Sequence, residues 1–94
     1  MINYLVEFIG TFVFLSIILN VAGKSAMAPL FIGLGLTAAI LLGGHISGGH
    51  FNPAVSTMML LKKSLSLNDY VPYVAAQLLG GVAAYYFLQL SNKK

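Results

Sequence analysis

The hydrophobic and polar positions of this chain fall into long apolar runs separated by short polar breaks. They do not form the one-sided stripes of helices that pack on a core and meet water on the other face. A helix needs about 20 mostly apolar residues to cross the roughly 30 Å hydrocarbon core of a bilayer. Three runs meet that length: about Tyr4 to Val21, interrupted by Glu7 and Asn20; about Met27 to Gly44, without a charge; and about Tyr70 to Leu90, bounded by Asp69 and by Lys93 and Lys94. Ala22-Gly23-Lys24-Ser25 makes the first connection, and Pro29 falls where a first helical turn tolerates proline. The pattern predicts three spans, over residues 4–21, 27–44 and 70–90.

The segment between the second and third runs, residues 45–62, is of another kind. His45-Ile46-Ser47-Gly48-Gly49-His50-Phe51-Asn52-Pro53 is glycine-rich and polar and reads as non-helical, while Ala54 to Leu61 is helical in composition but too short to span. The short helix ends at Lys62-Lys63, which require water. Asn52-Pro53 starts it, because Asn is a strong N-cap and Pro is favoured at the first helical position. Ala54, Val55, Met58, Met59, Leu60 and Leu61 leave it no polar face, which argues against a helix lying at the membrane surface. Extended backbone followed by a short apolar helix reads as a re-entrant loop, which at membrane depth must be buried in protein or line a water-filled path. The expected fold class is an all-α membrane protein with three transmembrane helices and one re-entrant half-helix, forming a single unit over residues 1–94.

Composition narrows the chemistry. Of 94 residues, 59% are hydrophobic and 7% charged, against roughly a quarter charged in a soluble domain. The absence of Cys excludes disulfides and thiolate chemistry. Five lysines without an arginine make no nucleic-acid surface. His45 and His50 lack a third metal ligand, so no metal or other cofactor is expected. Ser47 or Ser56 with a His and Asp69 shows no spacing that suggests a hydrolytic triad. Ala26-Met27-Ala28 has the form of a signal-peptidase site, but the start carries no basic residue ahead of its apolar run, so a retained first helix is the better reading. Residues four apart, Gly33 and Thr37, Gly35 and Ala39, and Ala76, Gly80 and Ala84, predict close helix packing. Tyr4, Tyr70 and Tyr73 fit an interfacial belt.

The loop Gly44-His45-Ile46-Ser47-Gly48-Gly49-His50-Phe51-Asn52-Pro53-Ala54-Val55 resembles the NPA loop of the major intrinsic proteins, the aquaporins and glycerol facilitators, in their first half. Glu7-Phe8-Ile9-Gly10-Thr11-Phe12 and Ala76-Gln77-Leu78-Leu79-Gly80-Gly81 are similar to the family's first- and third-helix signatures, in the right order. The resemblance implies a passive channel, not an enzyme, for water and small neutral solutes such as glycerol. It implies that Asn52, Pro53 and Ala54 stand at the pore's midpoint, that Gly48, Gly49 and His50 supply a track of carbonyl acceptors, and that Glu7, Gln77 and His45 brace the loop. Glu7, the only acid within a span, is read as such a brace in preference to a proton site.

Family members carry six spans and two such loops; this chain supplies three and one. Val55 stands at the position where the second loop usually has the filter arginine, and the matching aromatic of the second helix falls on Ile32, beside Phe31. A pore made from this chain alone is therefore expected to be wider and less polar there than a strict water channel. With the N-terminus inside, Lys62 and Lys63 face Lys24, Lys93 and Lys94 across the membrane, a near balance that gives little orientation bias. The expected partners are the lipid bilayer and a second copy in inverted orientation, eight chains forming four pores if the family's tetramer is kept. The alternatives are a separate second-half chain, or a non-conducting partner or regulatory subunit of a longer channel. Three whole spans and a polar tail argue mildly against random truncation. The expected location is a plasma or bacterial inner membrane.

Overall fold

A computed structural model describes residues 1–92; Lys93 and Lys94, which bound the third run and enter the charge count, lie outside the described residues. Four helices form among the described residues: α1 (Ile2–Val21), α2 (Ala28–Ser47), α3 (Pro53–Leu61) and α4 (Leu67–Ser91). No strand occurs among the described residues. At 1.5 Å per residue α1 and α2 each reach about 30 Å, the thickness of a hydrocarbon core, and α3 about 14 Å, roughly half of it. The three long helices are long and apolar enough to cross a membrane. The protein is an all-α integral membrane protein with three spans and one half-helix.

Two helix ends differ from the sequence expectation. Residues 45–47, read as non-helical, continue α2 by almost a full turn. The helix stops at Gly48, whose φ of +91° is left-handed and whose N–H closes on the Gly44 carbonyl at 2.8 Å; such a cap is where helices commonly end, and the glycine pair before it stays helical. At the other end, α4 begins at Leu67 because the Ser66 side chain accepts the Asp69 N–H at 3.2 Å. That N-cap precedes the expected start at Tyr70.

α1 lies between α2 and α4. The α1–α2 pair is antiparallel: a Cβ on Gly35 would sit 2.6 Å from Ile17 Cδ1, and one on Gly43 2.6 Å from Val6 Cγ1. The α1–α4 pair is parallel, running from the Tyr4 hydroxyl on Asp69 (2.6 Å) to Phe12 edge-on to Phe87, with ring centroids 5.6 Å apart. Gly80 sets their closest approach, since a Cβ there would lie 2.8 Å from the Phe8 carbonyl oxygen and 3.2 Å from the Phe12 nitrogen. Gly35, Ala39, Ala76, Gly80 and Ala84 are buried as the small-residue pattern predicts. Gly33 and Thr37 are exposed instead, and a Cβ on Gly33 would meet nothing within 4 Å.

Polarity is inverted relative to a soluble protein. Leu41 and Leu42 are 75% and 77% exposed, while Glu7 and Gln77 are 0% and 1% exposed. Leucines outside and a carboxylate inside are stable when the solvent is lipid and the polar groups satisfy one another.

Candidate functional site

The chain must reverse between α2 and α3, and three left-handed residues do it: Gly48 (φ +91°), Gly49 (φ +66°) and Phe51 (φ +52°). Glycine takes that conformation freely. For Phe51 it costs about 1–2 kcal/mol, which burial of the ring to 2% exposure offsets. The ring occupies a slot kept open by Gly10, where a Cβ would run into it, and by Gly43.

Glu7 gathers the loop. Its Oε2 accepts the Ser47 hydroxyl (2.7 Å) and the His50 N–H (3.1 Å), and its Oε1 accepts the Phe51 N–H (2.8 Å) and the Gln77 amide (2.9 Å). The Gly49 N–H is taken by Ser47 Oγ at 3.2 Å. Three successive loop N–H groups therefore end on Glu7 or on the serine that Glu7 holds. No cis peptide occurs among the described residues, and in a planar trans peptide the C=O points opposite to the N–H of the next residue. It follows that the carbonyls of Gly48, Gly49 and His50 are turned away from this cluster, and none accepts a hydrogen bond from a described residue.

Tyr73 and Ser56 complete the support. Tyr73, 4% exposed, donates its hydroxyl to the Ser47 carbonyl at 2.6 Å. Gln77 Nε2 also donates to Ser56 Oγ at 2.8 Å, and Ser56 Oγ lies 2.9 Å from His50 Nδ1. At the start of α3, Asn52 Oδ1 accepts the Ala54 N–H at 2.8 Å. The Asn52 residue is exposed, and its Nδ2 has no partner among the described residues. Thr57, bonded to the Pro53 carbonyl and to the Tyr70 hydroxyl at 2.9 Å, ties α3 to α4.

Beside Asn52 and Pro53 opens a cavity of about 640 Å³, lined among others by Thr11, Gln77, Gly81 and Tyr85. Thr11 Oγ1 and Gln77 Oε1 are buried and have no hydrogen-bond partner among the described residues. The α3 N-terminus, with the fractional positive charge of a helix end, faces this side of the molecule through Asn52 and Pro53.

The structure thus brings Gly48, Gly49, His50, Asn52, Pro53, Ala54 and Val55 together with Glu7 and Gln77 through the loop and its bonds. One residue expected to brace the loop makes no bond to it, and one expected at the outer constriction stands away from the loop. His45, expected as a brace, is exposed in the last turn of α2 and makes no side-chain hydrogen bond among the described residues, because the helix continues through it. Ile32 is half-buried near the end of α2 remote from the loop. Four residues that sequence reasoning gave no bracing role belong to the support: Ser47, Phe51, Ser56 and Tyr73. Tyr73, expected in an interfacial belt, is buried instead. The spacing could have shown it, since Tyr73 and Gln77 are four apart and share a helix face.

A lipid-facing bundle whose buried carboxylate holds a re-entrant loop and half-helix defines an integral membrane protein. The family pattern described as Major intrinsic protein matches residues 1–94, and the chain belongs to that family. It is 42% identical over 86 residues to glycerol uptake facilitator protein-like 6 of Lactiplantibacillus plantarum, covering 87% of this chain and 40% of that protein. It is 41% identical to aquaporin NIP3-1 of Arabidopsis thaliana, covering 89% of this chain and 29% of that protein. To aquaporin Z of Brucella melitensis it is 39% identical, covering 83% of this chain and 39% of that protein. The match therefore spans two fifths or less of these relatives' lengths.

Proposed function

We propose that this chain forms one half of a passive channel for water and small neutral solutes, completed by a second copy in inverted orientation. One observation carries the reading: the loop's N–H groups are consumed by Glu7 and Ser47, while the carbonyls of Gly48, Gly49 and His50 are turned away and left free. A row of acceptors leading to the free Asn52 amide and a helix N-terminus suits a solute that donates and accepts hydrogen bonds, and disfavours cations. Names such as glycerol uptake facilitator and aquaporin among the relatives agree with that solute class. Val55 and Ile32 stand where an arginine and an aromatic would narrow the outer end, so small polyols such as glycerol pass with water. Glu7 and Gln77 brace the loop, and the plasma or inner membrane is its proposed site. Four inverted pairs, eight chains in all, complete the proposed assembly.

The inverted pair makes a specific demand on orientation. Adding several lysines to the Lys62-Lys63 end should lock one orientation and abolish water flux from that variant alone. Mixing it with a variant locked the other way should restore flux. Undiminished flux from a single locked variant would overturn the inverted pair. A second reading, in which a separate chain supplies the other half, is favoured by one fact: most of each relative's length lies outside the match. Under it, this chain conducts only after co-reconstitution with that chain, and neither locked variant nor their mixture conducts.

A further inference from the structure

Hydrogen-bond accounting along Glu7, Gln77, Ser56 and His50 constrains which ring nitrogen of His50 carries the proton. Backbone N–H groups can only donate, so Glu7 Oε1 accepts from Phe51 and is an acceptor toward Gln77 as well. The Gln77 side chain must then present its NH₂ and not its carbonyl, because two oxygens would repel. Its two hydrogens are used on Glu7 Oε1 (2.9 Å) and Ser56 Oγ (2.8 Å). Ser56 Oγ is therefore an acceptor toward Gln77, and its single proton goes to His50 Nδ1 at 2.9 Å. Ser56 Oγ makes no hydrogen bond to the Asn52 carbonyl one turn back; its partners among the described residues are Gln77 and His50. An imidazole that accepts at Nδ1 is neutral and carries its proton on Nε2.

We propose that Ser56 is a positioning residue that holds His50 as the neutral Nε2–H tautomer, so that the ring offers a fixed hydrogen-bond donor beside the turned-out carbonyls of the loop. The ring is kept in place by Tyr73, tilted against it with centroids 5.2 Å apart. Its Nε2 edge lies over Gly48, where a Cβ would come within 3.2 Å, and Nε2 has no partner among the described residues. Glycine at 48 leaves that edge open. For its functional meaning the inference rests on the channel reading: a solute at the loop would meet the Gly48 and Gly49 carbonyls as acceptors and His50 Nε2–H as a donor. The tautomer assignment does not depend on conduction.

The test is nitrogen NMR of the full chain in bilayers, with labelled histidine and His45→Gln so that His50 gives the only imidazole signal. The expected result is one dominant species, protonated at Nε2 and unprotonated at Nδ1. Ser56→Thr, which keeps the hydroxyl, should preserve it, and Ser56→Ala should let the Nδ1–H tautomer appear as a second species. A mixed or Nδ1-protonated His50 in the protein with Ser56 intact would overturn the proposal, as would an unchanged pattern in Ser56→Ala. Water flux is measured on the same membranes. The Nε2–H pattern without flux would sink the channel built from this chain alone and leave the assignment standing.

Discussion

Glu7 can be fully buried because each of its oxygens accepts two hydrogen bonds, from Ser47 and His50 on one and from Phe51 and Gln77 on the other. Glu7→Gln keeps the shape but turns one acceptor oxygen into a donor facing two donors. Unpaired buried donors cost about 1–3 kcal/mol each, so we expect a loss of about 2–4 kcal/mol, read as a lower midpoint in thermal unfolding of the detergent-solubilised protein. Asn52 separates two roles: Oδ1 caps α3 and Nδ2 is free. Asn52→Asp retains the cap and removes the donor, so helix content by circular dichroism should stay the same while water flux falls. Asn52→Ala should in addition lose about 1 kcal/mol of cap stabilisation. At this scale Glu7 was legible in the sequence as the only acid within an apolar run. Tyr73 on its own was not, because a tyrosine near the end of a span has the same local signal whether it faces the headgroups or the interior; only its spacing of four from Gln77 puts it on the inner face.

Among the elements, the central contact is α1 with α4, and it rests on one missing side chain. Gly80→Val would drive a branched side chain against the Phe8 carbonyl and Thr11. Overpacking of this kind costs about 1–3 kcal/mol, and the expected readout is a lowered unfolding midpoint in detergent with helix content kept. Gly33→Ala meets open space and should shift the midpoint little, or raise it slightly through better helix propensity. An equal loss from both substitutions would contradict the packing assigned to α1 and α4. The small-residue spacing thus foretold Gly80 correctly and could not tell Gly33 from Gly35. Two residues along a helix is about 200°, and only the partner helix decides which face is buried. Helix ends showed the same limit. Asn52-Pro53 marked the start of α3 because cap and proline agree in one local signal. The end of α2 was expected at Gly44, and its continuation to Gly48 goes with the bonds of Ser47 to Glu7 and Tyr73, which lie far away in sequence.

At the scale of the whole molecule, the apolar exterior and the polar cluster around Glu7 are two consequences of one composition: a chain with few polar groups places them where they bond one another or reach water. The membrane class and the number of spans were legible for that reason, since length and apolarity are summed over many residues. What completes the path beside Asn52 and Pro53 was not legible, because a second copy and a different second half demand the same residues from this chain. The measurement that tests the central claim most directly is osmotic shrinkage of proteoliposomes containing this chain alone, followed by stopped-flow light scattering. The account predicts shrinkage clearly faster than bare lipid, lost when Asn52 and Pro53 are both replaced by alanine. Shrinkage no faster than bare lipid, from protein shown to be folded and inserted, would contradict it.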